Sequence, residues 1–110
     1  MELKYLHVSV ADMAAAVAFY AETLGMEEAW REGDGTVAFW AHDRSVQLML
    51  VVGGHAPGPM YLVEDAVAWA TAHEHVAVRV PRYAIPGGSV AGYRDPDGNV
   101  FYVYDQKDRG

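Results

Sequence analysis

His7 interrupts an apolar stretch, Leu6-His7-Val8, close to the start of the 110-residue chain. An imidazole in that setting can accept a proton near neutral pH, which makes His7 the candidate general base. Phenols supply the complementary role. Tyr5, two residues earlier, and Tyr102, in "VFYVY" at 100–104, are candidate donors to a developing oxyanion. Such a set suits an isomerisation or lyase-type proton transfer without a metal. Gln47 adds an amide in "SVQLMLV", and Arg79 a guanidinium in "VAVRV". Arg79 would hold an anion bidentately or simply occupy an outer strand edge. The other histidines offer less. His73 and His75 flank Glu74 at the end of a helical stretch, near the negative end of its dipole, and a spacing of two does not share a helical face. His42 and His55 fall in turn or loop sequence.

Composition removes several classes of chemistry. There is no cysteine, so disulfides, thiolate metal sites and cysteine nucleophiles are excluded. Fifteen acidic residues face eight basic ones, a net charge of −7, and no basic patch stands out. Nucleic acid is therefore not an expected partner. The acidic balance is compatible with a cationic ligand, although solubility alone accounts for it. No apolar run approaches the roughly 20 residues of a membrane span, and "MELKYLHVSV" lacks the pattern of a signal peptide. The expectation is a cytoplasmic protein without a membrane partner. Hydrophobic residues at 52% and charged residues at 21% fit one globular domain over 1–110.

These candidate groups must be positioned by strands. "LKYLHVSV" at 3–10 alternates, with Leu6, Val8 and Val10 opposite Tyr5, His7 and Ser9. Asp12 reads as an N-cap, and Met13, Val17, Tyr20 and Leu24 then fall on one helical face ending at Gly25. Strands follow near 27–31, 36–41 and 45–52. After the loop at 53–57 and its flanking Gly-Pro sequence, the pattern repeats. "MYLVED" echoes "HVSVAD", with Val63 and Asp65 standing 53 residues beyond Val10 and Asp12. A second, shorter helix, "AVAWATAH", precedes strands near 75–80, 89–94 and 99–105. "PRYAIPGG" reads as loop, "DPDG" as a tight turn and the tail "QKDRG" as a fraying end. The order is βαβββ twice, in modules of about 1–52 and 58–106. One helix per module covers one sheet face, so the fold class is α+β: paired modules forming cupped mixed sheets with helices on the outside.

Alternation also assigns faces. The purely aliphatic sides suit packing against helices. The mixed sides carry Tyr5, His7, Gln47, Met49, Tyr102 and Tyr104, with Met60 and Leu62 added by the repeat. Trp40 or Phe39 in "VAFWA" contributes as well, and Trp40 is taken into the candidate lining. Together these residues suit a flat aromatic or apolar ligand held by few hydrogen bonds. Closing a core or a dimer interface is the competing role, above all for Met49, Leu62 and Tyr104.

"HVSVADMAAAVAFYAETLGM" and "RDPDGNVFYVYD" resemble the vicinal oxygen chelate superfamily, which includes glyoxalases, bleomycin-resistance proteins and extradiol dioxygenases. The resemblance covers nearly the whole chain. It implies a possible divalent metal held by His and Glu on the sheet. The positions it points to carry Tyr5, Gln47, the Gly58-Pro59-Met60 stretch and Tyr102, and a shift of two would put His7 in place of Tyr5. These are not the converging His and carboxylate donors a divalent site needs, so no metal or other cofactor is expected. The resemblance then implies a metal-independent binder of a drug or natural product, like the bleomycin-resistance branch and expected as a homodimer. The alternatives are a metal-free isomerase or lyase using His7 and tyrosines, and a metal-dependent glyoxalase or dioxygenase.

Overall fold

The computed structural model describes residues 1–41 and 43–107; His42 and residues 108–110 of the polar tail lie outside them. Contacts gather into two compact units. One is Lys4–Pro57; the other runs from Gly58 onward and includes Met1–Leu3. The first contains β1 (Glu2–Val10) from Lys4 onward, α1 (Met13–Ala18) continued by a π turn at Phe19–Thr23, β2 (Glu28–Glu32), β3 (Thr36–Trp40) and β4 (Gln47–Val52). Its strands lie in the order β2-β3-β4-β1, with β1 parallel to β4 and the other pairs antiparallel. The second contains β5 (Gly58–Leu62), α2 (Ala66–Ala72), β6 (Val78–Ile85), β7 (Gly88–Arg94) and β8 (Val100–Gln106). Here the order is β5-β8-β7-β6, with β5 parallel to β8. Each unit is thus the expected βαβββ module, and the fold is α+β.

The repeat is visible in the caps. Asp12 Oδ1 accepts the Ala15 N–H at 3.1 Å, and Asp65 Oδ1 accepts the Ala68 N–H at 2.9 Å. Each carboxylate satisfies a backbone donor that the first helical turn leaves open. Each helix then covers the side of its own sheet opposite the mixed face. Val37, Phe39 and Leu50 form the first core with Val8, Val10, Met13, Val17 and Tyr20. Ala91, Tyr93 and Val103 form the second with Val63, Trp69, Val76 and Phe101. The second module has an additional tie. Both Asp105 carboxylate oxygens accept backbone N–H groups, Ala66 at 2.7 Å and Ser89 at 3.0 Å, and this joins α2 and β7 to β8.

Two elements depart from the sequence reading. Met13, Val17 and Tyr20 face the core as expected, but Leu24 is 52% exposed. The cause is the π turn, in which the Leu24 N–H reaches back five residues to Phe19 O. That wider turn shifts the helical phase, so Ala21 and Met26 pack where Leu24 was expected. Gly25, at φ 69°, still ends the element. The second departure is β6, which continues through Pro81 to Ile85 where loop was expected. It is the edge strand of its sheet, where a missing N–H is tolerated. Register shifts between Val78 and Val80 and between Val80 and Tyr83 absorb the irregularity. β5 begins at Gly58, where the backbone closes on β8. A Cβ at Gly58 would lie 2.2 Å from Val100 O.

Candidate functional site

Strand register sets the candidate residues in rows. In the first module Tyr5, Gln47 and Trp40 are aligned across β1, β4 and β3. His7, Met49 and Ala38 form the next row, which Trp30 on β2 extends. Both rows lie on the side opposite the Val37–Phe39–Leu50 core. Alternation therefore assigns Phe39 to the helix side and Trp40 to the mixed side.

Trp30 is the site residue that sequence reasoning missed. Its indole Nε1–H donates to Gln47 Oε1 at 2.7 Å, and its ring meets Tyr5 edge-on at 6.5 Å between centroids and 86° between planes. The Gln47 carbonyl oxygen is thereby engaged, while its N–H₂ group has no partner among the described residues. The available signal was a tryptophan in the otherwise mostly charged stretch "EAWRE". The register shift between Glu28 and Trp30 disguises its side of the sheet. At the end of the wall, the Arg44 guanidinium lies 5.2 Å from the Trp40 ring centroid and pairs with Glu27.

His7 is only 4% exposed. The Ser9 hydroxyl donates to the His55 carbonyl, which anchors the loop at 53–57 to this strand. That brings Gly54 so close that a Cβ there would lie 2.8 Å from His7 Nε2. Burial, and secondarily the His55 imidazole, push the His7 pKa below its usual value. The ring is consequently neutral at neutral pH, the form a proton acceptor requires.

In the second module Met60, Tyr102, Gly92 and Val80 form one row. Leu62, Tyr104, Val90 and Tyr83 form the next. Tyr102 is fully buried, and Tyr104 and Met60 nearly so. Burial and the neighbouring Tyr83 raise the Tyr102 pKa, and Arg79 opposes them. The raised pKa keeps the phenol protonated at neutral pH. Arg79 itself is exposed on the edge strand β6. His73 stacks on Trp69 at 4.2 Å between centroids, and its Nδ1 lies 2.7 Å from Trp69 O, which fits it to the helix end.

The positions implied for metal ligands are real neighbours in pairs. Tyr5 is the register partner of Gln47, and Met60 of Tyr102. With the two-residue shift the first pair becomes His7 and Met49. Phenol, amide and thioether groups do not make a hard divalent site, and one imidazole does not complete it. Among the described residues no three His, Asp or Glu side chains come together to hold a metal. The donor set does not fit the metal that the resemblance implies. No described helix is long and apolar enough to cross a membrane.

Comparison with known proteins gives a family and a fold. No curated protein matches the chain. Among solved structures, a NAD-dependent benzaldehyde dehydrogenase from Legionella pneumophila shares 14% identity at a TM-score of 0.72, covering 94% of this chain and 98% of that one. Methylmalonyl-CoA epimerase from Mycobacterium tuberculosis shares 16% at 0.68, covering 98% and 89%. A glyoxalase/bleomycin resistance protein/dioxygenase superfamily member from Vibrio splendidus 12B01 shares 15% at 0.68, covering 93% and 97%. Identities this low establish the fold alone. The family model for the Glyoxalase/Bleomycin resistance protein/Dioxygenase superfamily matches residues 2–103. With that match over nearly its whole length, the chain belongs to this superfamily.

Proposed function

We propose that the protein is a metal-independent binder of a small drug or natural product, in the manner of bleomycin-resistance proteins. The observation that carries this reading is the wall of Tyr5, Trp30, Trp40 and Gln47. Aromatic rings lie on both sides of one amide whose oxygen is fixed and whose N–H₂ is available. Such a wall suits stacking on a flat ligand with one acceptor to orient it. Within the first module His7 and Met49 complete the proposed lining; Met60, Tyr102 and Tyr104 line the corresponding face of the second module on their own. A homodimer and a cytoplasmic location belong to the same reading. Thermal-shift measurements with bleomycin-type compounds and other planar natural products test it. Stabilisation, with the ligand recovered unchanged, is the expected result. Stoichiometric bound metal in the purified protein, with function lost on chelation, would replace this reading with a metal-dependent glyoxalase or dioxygenase.

A second reading is favoured by the neutral, buried His7. In it the wall binds a substrate, and His7 takes a proton while a tyrosine hydroxyl donates to the developing oxyanion. Conversion of a bound compound that disappears in His7→Ala would select this reading over sequestration.

A further inference from the structure

Each module also has a groove on its helix side, away from the mixed face. The two grooves differ in one cation. The groove beside α1 has a volume of about 510 Å³ and an apolar floor that includes Val17 and Val37. Its cation, Arg31, is held by both oxygens of Glu28 at 2.6 and 2.7 Å, and Glu22 and Asp34 also line it. This groove therefore has no spare positive charge to offer.

The groove beside α2 is about 410 Å³, and its cation is Arg82. The contacts of Arg82 are long and neutral: Ser89 Oγ at 3.2 Å and the Ala66 carbonyl at 3.5 Å. No carboxylate among the described residues pairs with it, in a chain where acids outnumber bases by fifteen to eight. Asp105 shares Ala66 and Ser89 as partners, but both of its oxygens already accept their backbone N–H groups. Val67 and Val78, each more than half exposed, line the groove with Ala91 and Tyr93. Arg82 contacts the start of α2, while Glu74 lies just past its end. A seven-residue helix separates them by about 10 Å.

We infer that the α2 groove binds an amphiphilic monocarboxylate. Its head pairs with Arg82 through charge-assisted hydrogen bonds, and its apolar body covers Val67 and Val78. Glu74 at the far end selects against a second carboxylate. The groove shares no residue with the aromatic wall, so the two proposals stand or fall independently.

Octanoate, octanedioate and octylammonium are suitable probes, titrated into the full chain and followed by amide chemical shifts. Octanoate should produce saturable shifts at Val67, Ala70 and Ala91, and octanedioate and octylammonium should bind more weakly. Arg82→Gln should weaken octanoate by about tenfold, the size of a lost charge-assisted pair, while Arg31→Gln leaves it unchanged. The proposal is overturned by an absence of saturation, by equal shifts at Val17 and Val37, or by an Arg82→Gln affinity equal to that of the parent.

Discussion

Trp30–Ala38–Met49–His7 in the first module and Val80–Gly92–Tyr102–Met60 in the second are one row built twice. His7 and Met60 stand at the same distance before their capping aspartates. The third-strand residue is small in both, but by different amounts. Ala38 separates Trp30 from Met49, and the mixed face around it remains partly exposed. Gly92 lets the Tyr102 ring lie directly over the strand, and a Cβ there would be 2.9 Å from Tyr102 Cε1. All four positions differ between the rows, and the missing methyl at Gly92 gives the Tyr102 ring its space. The first module leaves hydrogen-bonding and aromatic groups partly accessible on this face, and the second fills the equivalent row with packed side chains.

The strongest test of that contrast is Gly92→Ala. The new methyl would meet Tyr102 on one side and Val80 Cβ at 3.0 Å on the other. Overpacking between buried groups should destabilise the protein by about 1–3 kcal/mol in urea unfolding. Ala38→Gly, with no clash to create, should cost about 1 kcal/mol or less. Equal midpoints for the two variants would break the contrast. A somewhat smaller effect is expected from Gln47→Leu, which leaves the Trp30 N–H without its acceptor. The cost should be about 1–2 kcal/mol in this half-buried setting, and Trp30→Phe made in the same background should recover part of it. Failure of the two changes to couple would mean that the 2.7 Å bond does not organise the wall.

The smallest effect concerns pH, and it belongs to the first module because His7 has Met60 as its counterpart. A histidine whose folded pKa lies below 6.5 binds its proton first in the unfolded chain. Its contribution is therefore complete above that value and declines as pH falls through the folded pKa. Unfolding measurements from about pH 7.5 down to 5 should show stability decreasing, with a shallower slope in His7→Met. Identical slopes would contradict the lowered pKa.

Much of this arrangement was legible from alternation alone. Tyr5 and His7, Gln47 and Met49, and Tyr102 and Tyr104 share faces because regular strands have a period of two. The Asp12 and Asp65 caps were legible because helix starts need a side-chain acceptor. What escaped reading lies where the period breaks. Trp30 sits beside a register shift, Leu24 follows a π turn, and Pro81 lies inside an edge strand. Trp40 could not be told from Phe39 until the register with β4 chose between them. Arg82 gave no signal, because its lack of a carboxylate partner is a property of folded neighbours.

The irregular β6 also bears on behaviour at high concentration. A strand from a second molecule adding to its outer edge would need an unbroken series of backbone donors and acceptors. Pro81 deletes one donor, and the two register shifts misalign the groups around it. Val78 and Tyr83 leave apolar surface at this edge, yet the backbone beneath them is a poor template for fibril growth.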